Sequence, residues 1–382
     1  MKFVAEVLKL SKSATLRLEE RRVLRQALIK HPFFPDLVDA YKLDKKFGEY
    51  EEGTLIVKTK NGYDLVRGYP KIRRALTLYP TIIKHFKEGN VVIEEKMNGY
   101  NVRVVHFGEN IYAITRRGYI CPYTTEKARN LIPFEFFKDN PDLMLCCEAV
   151  GEESPFVSKS VYGIKNLDFF VFDIRRRRTN EALSIKIKEK MAEEYSLNLS
   201  PILGVVDVKK AHEEVKSIVK ELGKQGREGV VIKDEKMKKS PIKYTASQSN
   251  CSDLSYAFRF FNEYGKDFMF SRIVREAFQS FEFNESNDEL NERCRRLGDA
   301  ILKPMIESIR EVSNGKKVVE RSRLRFDSLE VFELFKKHVK KMGIEAEFST
   351  PIEKNGKFVV YFDRIMMSTT DKIAAHLNGV LW

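Results

Sequence analysis

A chain of 382 residues exceeds what one small core fills, so two to four domains are expected. Its 43% hydrophobic and 32% charged residues exclude a disordered polymer and fit a folded protein with a highly charged surface. The net charge of +13 favours a polyanionic partner, with nucleic acid ahead of an anionic membrane, because no long basic amphipathic terminal helix stands out.

No apolar run is long enough to span a bilayer and the N-terminus lacks a signal-peptide pattern, so no membrane partner is expected. The five cysteines (Cys121, Cys146, Cys147, Cys251, Cys294) contain no C-x-x-C pair, and their odd number argues against a disulfide framework. A reducing cytoplasm is the expected location. The six histidines are scattered, which excludes a His-rich zinc site.

In chain order, residues 18–29 carry a basic helical pattern and residues 54–57 read as a strand. Arg67-Gly68-Tyr69-Pro70-Lys71 has turn chemistry and opens a new domain. Residues 91–245 are strand-rich: 101–105 and 111–115 flank Gly108-Glu109-Asn110 as a hairpin, and buried strands follow at 143–147, 169–174 and 229–233. Residues 186–195 and 209–222 are spaced as amphipathic helices. After Ser252 the pattern turns helical over 256–283 and 287–310, and a linker at 313–317 leads to a small mixed tail.

The chemistry centres on Glu94-Glu95-Lys96-Met97-Asn98-Gly99-Tyr100-Asn101, where one lysine ends an apolar run just before a glycine. Lysine is a nucleophile only when neutral, so it needs burial or cationic neighbours to lower its pKa. Five later segments supply what nucleotidyl transfer needs. Thr115-Arg116-Arg117-Gly118 ends a hairpin strand with two guanidiniums suited to phosphate or ribose, and Glu148 ends a buried strand. The Phe-rich strand through Phe172 offers a ring for a base, although such a strand alone is most cheaply core. Glu228 begins, and Lys233 ends, the next apolar strand, and Lys243 follows soon after. Two such lysines near Lys96 would lower its pKa and neutralise a triphosphate. The run from Arg175 and Arg176 to Arg178 is either a solvated turn or a patch for RNA phosphates, the second being favoured by its place at the edge of the site. Neither a P-loop nor a G-x-G-x-x-G fingerprint is present.

This ordered set resembles the covalent nucleotidyltransferases: ATP-dependent DNA ligases, RNA ligases and messenger-RNA capping enzymes. Lys96-Met97-Asn98-Gly99 is similar to their first motif, Thr115 to Gly118 to the second and Glu148 to the third. The strand with Phe172 is next, Glu228 to Lys233 resembles the fourth, and Ile242-Lys243-Tyr244-Thr245 the fifth, with Thr245 where a second lysine is usual. The lack of a recognisable OB-fold motif after Ser252, and Asn101 where many DNA ligases have arginine, point to the RNA-ligase branch and to the archaeal homodimeric ATP-dependent RNA ligases.

The resemblance implies an α+β protein with an antiparallel-sheet, ATP-grasp-like nucleotidyltransferase core at 67–250. Around it stand an N-terminal domain at 1–66, a helical dimerisation domain at 251–315 and a C-terminal domain at 316–382. It implies Lys96 as the residue that takes AMP, with Glu95, Asn101, Arg116, Glu148, Phe172, Glu228, Lys233 and Lys243 around the nucleotide. Arg117, Arg175 and Arg176 would meet RNA, and Glu148 and Glu228 would hold Mg2+ or Mn2+. ATP is the implied co-substrate, and RNA with 5′-phosphate and 3′-hydroxyl ends the implied partner. The apolar surplus of Phe258, Phe260, Phe261, Phe268, Phe270, Ile273, Phe278 and Phe281 adds a homodimer to the expectations. A DNA ligase, a capping enzyme and an inert basic RNA-binding protein are the rivals.

Overall fold

The computed structural model describes residues 2–157 and 160–381. The N-terminal part holds α1 (Lys2–Val7), α2 (Lys12–Glu20) and an antiparallel sheet β1 (Leu24–Gln26), β2 (Leu37–Leu43), β3 (Leu55–Thr59) and β4 (Gly62–Val66). The helix expected over 18–29 stops at Glu20. Arg22 turns the chain at φ 55°, and Leu24 then pairs with Leu43. The apolar spacing misleads because it serves two cores: Leu24 faces one, Ala27 and Leu28 the other.

The central part runs through β5 (Arg73–Arg74), α3 (Leu78–Phe86), β6 (Asn90–Lys96), β7 (Tyr100–Phe107) and β8 (Asn110–Thr115). It continues with α4 (Pro122–Leu131), α5 (Glu135–Asp139), β9 (Leu143–Val150), β10 (Asp168–Arg176), α6 (Ile185–Glu194), β11 (Ile202–Asp207), α7 (Ala211–Lys224), β12 (Gly229–Asp234) and β13 (Ile242–Thr245). Every strand and helix expected between 101 and 233 is present. The strands form two sheets, ordered β10-β9-β7-β8 and β11-β6-β12-β13-β5, antiparallel throughout except for the β13–β5 pair. The turn at Met97 to Gly99 carries the chain from the second sheet into the first, so Lys96 stands where the two meet. Gly99 is required by close approach rather than by its torsions: a Cβ there would lie 2.2 Å from the Ala149 carbonyl oxygen on β9.

The helical part comprises α8 (Ser247–Arg259), α9 (Lys266–Phe283) and α10 (Asn287–Ser313), the last opened by a capping box between Ser286 and Glu289. Residues 256–283 are therefore not one helix. Phe260 is buried against Val318, Met366 and Ile373, and the chain breaks there to reach that core. The final part is β14 (Val319–Phe326), α11 (Leu329–Lys341), β15 (Ala346–Phe348), β16 (Ile352–Lys354), β17 (Lys357–Ile365) and α12 (Met367–Leu377). It has no private core: Phe326, Phe332, Phe335 and Phe362 join Tyr123, Phe136 and Val102 in one apolar cluster with the central sheet. No described helix is long and apolar enough to cross a membrane.

Candidate active site

Between the two central sheets lies a cavity of about 290 Å³, lined by Glu95, Lys96, Asn101, Arg116, Glu148, Phe172, Lys233 and Lys243. Eight of the expected nucleotide residues thus converge on one space. The ninth, Glu228, meets them through Lys96. Gly229 lies opposite Lys96 in the β6–β12 register, which puts the preceding carboxylate beside the lysine, and Lys96 Nζ donates to Glu228 Oε2 at 2.7 Å.

This pairing reverses the expected pKa shift. Burial acts to lower the Lys96 pKa, but Glu228 and then Glu148 outweigh burial and the opposing charge of Arg74, and hold it above the ordinary lysine value. Neighbouring lysines do not activate it here, because two carboxylates stand closer in effect. Glu148, opposite Asn101 in the strand register, accepts from Gly99 N at 3.2 Å. Burial pushes its carboxyl up to about 7, against the pull of Lys96. Lys243 moves the other way, down to about 8, through burial and repulsion from Lys96 and Arg74.

Two atoms mark where a ligand's polar groups would go. Glu95 Oε2 accepts from Arg227 Nη1 at 2.9 Å, while Glu95 Oε1 and Asn101 Oδ1 are buried without a hydrogen-bond partner. Unmet acceptors in a cavity are costly unless a donor such as a base amino group fills them. Phe172 occupies a β-bulge between Val171 and Asp173, which turns its ring to the cavity edge-on to Tyr69, 5.1 Å between centroids. Arg116 Nη1 donates to the Tyr69 carbonyl at 2.5 Å.

Other expected residues are placed differently. Lys233 reaches the cavity floor, but its ammonium is bonded to Glu94 at 2.6 Å, Asp173 at 3.1 Å and the Phe172 carbonyl at 2.7 Å. Lys188 joins Glu94 and the same carbonyl, so the bulge that presents Phe172 is anchored from beneath by two buried cations. Arg175 is not an RNA-facing residue: it is buried, with Nε and Nη2 on Asp173 and Nη1 on the Asn180 carbonyl. Arg177 and Arg178 grip Asp64 of β4, and Arg176 faces Glu181. The arginine run therefore pins the N-terminal sheet to the core rather than forming a patch. Arg117 is exposed and has no ion pair among the described residues.

The sequence pattern gives no role to Arg74, Tyr162, Arg227 or Glu94. Arg74 bonds Thr245 Oγ1 across the parallel β5–β13 pair, so a guanidinium stands beside the position where a second motif lysine was expected. The Tyr162 hydroxyl accepts from Asn98 N at 2.8 Å, bracing the turn after Lys96. Arg227 could have been found from its place one residue before Glu228; the others depend on long-range pairing. Among the described residues no group of three or more acidic, His or Cys side chains gathers as a metal site. Glu148 and Glu228 offer two hard oxygen donors, a set that suits a divalent ion completing its shell with phosphate and water.

The family model for RNA ligases matches residues 89–245, and that for the C-terminal region of the ligase Pab1020 matches residues 256–380. An archaeal ATP-dependent RNA ligase, solved in two forms, is 37% identical, with a TM-score of 0.90 over 100% of this chain and 99% of that one. The chain belongs to the archaeal ATP-dependent RNA ligase family. A curated relative of this ligase from Methanocaldococcus jannaschii, described as uncharacterized protein MJ0414, is 43% identical over 99% of this chain and 96% of its own. A putative ATP-dependent DNA ligase from Aquifex aeolicus is 25% identical, with a TM-score of 0.88 over 97% of this chain and 100% of that one.

Proposed function

We propose that this ligase seals RNA through Lys96, joining or circularising strands with 5′-phosphate and 3′-hydroxyl ends. Lys96 Nζ, after losing a proton to the Glu228 carboxylate that it touches, attacks the α-phosphorus of ATP. An N–P bond forms and pyrophosphate leaves. The AMP then passes to the RNA 5′-phosphate, restoring the lysine amine, and a 3′-hydroxyl displaces AMP to form the phosphodiester. The observation that carries this reading is the Lys96–Glu228 contact of 2.7 Å at the edge of a cavity in which two buried acceptors, Glu95 Oε1 and Asn101 Oδ1, lack partners.

In this reading Glu95 and Asn101 receive donors of the nucleotide, Phe172 stacks on the base, and Arg116 takes the sugar or phosphate. Lys243 and Arg74 grip the phosphates, and Lys233 acts from below by fixing the Phe172 backbone. Glu148 and Glu228 would hold Mg2+ or Mn2+, which supplies charge neutralisation at the phosphates when bound. The protein works as a homodimer through its helical part, in the cytoplasm.

Incubation with radiolabelled ATP or GTP, followed by a denaturing gel, tests the core of this proposal. Label from ATP alone should remain on the protein and vanish in Lys96→Ala, which should still seal pre-adenylated RNA to a measurable extent. Label retained by Lys96→Ala would remove Lys96 as the nucleophile. Parallel ligation of 5′-phosphorylated RNA and DNA strands, with product sizes resolved, distinguishes RNA sealing from DNA sealing and circles from joined pairs.

A further inference from the structure

A second and larger cavity, about 1000 Å³, opens on the other side of Lys96. Lys96 and Glu228 form one wall; the opposite walls come from the helical and C-terminal parts, through Tyr256, Tyr264 and Phe268 and through Lys316, Arg321 and Arg364. The nucleophilic lysine therefore stands between two chambers, the nucleotide cavity and this groove.

We propose that the groove is the acceptor site, holding the 5′-phosphorylated end of a single-stranded RNA so that its phosphate faces the AMP carried by Lys96. This inference rests on the lysyl-adenylate reading above. Its chemistry is that of single-strand recognition, in which aromatic faces stack bases and cations track phosphates. Tyr256 and Tyr264 meet edge to face at 5.6 Å, and Phe268 lies 5.4 Å beyond Tyr264, making a row of three rings.

Around them, the arginines are held in ion pairs. Arg321 pairs with Asp363 at 2.5 Å, Arg364 with Glu320 at 3.7 Å, and Arg259 with Glu307 and Glu311 at 3.0 and 2.9 Å. Arg321 is exposed while Arg364 and Arg259 are half-buried, and at an exposed guanidinium such a pair contributes little, so an incoming phosphate can compete for Arg321. Asp253, Glu311 and Glu320 also line the groove and set a limit on its positive charge. Lys316 has no ion pair among the described residues, so it is the cation ready to receive a phosphate.

The site assigns the C-terminal part a task in the second step. The experiment uses the full-length protein and a fluorescent 5′-phosphorylated oligoribonucleotide. Lys316→Glu and Tyr264→Ala are compared with Lys337→Glu, an exposed position on α11 outside the groove. Anisotropy should give about tenfold weaker RNA binding for each groove variant, restored in Tyr264→Phe, and a salt slope smaller by about one for Lys316→Glu. RNA should also strip label from Lys316→Glu more slowly, relative to the rate at which ATP installs it. Lys337→Glu should match the wild type. Wild-type affinity and discharge in both groove variants would overturn the proposal, as would an equal loss in Lys337→Glu, which would make the effect one of net charge. A wild type that takes no label from ATP overturns the lysyl-adenylate reading, while the anisotropy still decides whether RNA occupies the groove.

Discussion

Lys96 rests as a charged amine in a salt bridge, so the barrier to the proposed adenylation includes separating it from Glu228. Removing the carboxylate frees the lysine but also removes the acceptor for its proton. Glu228→Ala and Lys243→Ala should each cost about 2–4 kcal/mol of transition-state stabilisation without unfolding the protein. Near-normal adenylation rates in either variant would take that residue out of the site. Lys243 adds a pH signature. Burial, Lys96 and Arg74 hold its folded-state pKa at about 8, so the charge proposed to grip phosphate is present below that pH and lost above it. The ratio of kcat/KM for ATP between wild type and Lys243→Ala should therefore fall between pH 7 and 9, which a pH–rate series reads directly. At this scale Lys96, Glu148, Phe172 and Glu228 were legible because each is a polar or aromatic group at the rim of an apolar strand. Lys233 and Arg175 fit the same pattern and were read too simply. Asp173 stands two residues before Arg175 on its own strand and could have been read as its partner. Nothing local, by contrast, records that Glu94 on the neighbouring β6 and Asp173 from the other sheet claim the charge of Lys233.

Elements place these groups through contacts a few ångströms wide. The turn after Lys96 must pass the β9 backbone, and Gly99 alone permits it. Gly99→Ala would drive a methyl into the Ala149 carbonyl, at 2.2 Å, and the turn must lift. A stability loss of about 1–3 kcal/mol is expected in denaturant melts. A larger loss in adenylation is expected too, because Lys96 and the Gly99 N–H that holds Glu148 move with the turn. An unchanged melt would show that β9 yields freely. The strands were legible from alternation and bounding turns, but the segment 18–29 was misread as a helix, since Leu24, Ala27 and Leu28, divided between two cores, imitate helical spacing. The β5–β13 pairing, which delivers Arg74, joins segments far apart in the chain and leaves no local trace.

Across the whole molecule the parts share cores, which length and linkers alone did not convey. His338 shows the cost of that sharing. It is buried in α11 beneath Tyr119 and Phe335, and burial depresses its pKa to about 3. The unfolded chain takes up a proton below pH 6.5 while the folded one does not. Stability should accordingly drop as pH falls from 6.5 towards 3, by up to about 4 kcal/mol, and His338→Phe should flatten that slope in thermal melts. Assembly is the other prediction at this scale. Of the apolar residues expected at a subunit contact, Phe260 is buried with Phe261 packed in its cluster, Phe258 and Ile273 pack within the helical part, and Phe268 lines the groove. That leaves Phe270 at 68% and Phe281 at 82% exposure, with Phe278 also exposed. Light scattering at micromolar concentration should give twice 44.5 kDa, and Phe270→Glu with Phe281→Glu should return it to one chain mass.

Helix α9 has two faces with different duties. One carries Phe270 and Phe281; from the other, Gln279 donates to the Thr245 carbonyl and Glu282 accepts from the Tyr244 hydroxyl, both at 2.9 Å, on the strand that bears Lys243. In the proposed dimer this helix would connect the mating surface to the strand proposed to grip phosphate, and any coupling between the two equilibria is thermodynamically reciprocal. Whatever factor ATP multiplies into the self-association constant, self-association must multiply into the affinity for ATP, so a dilution series with and without nucleotide would weigh how stiff the helix is.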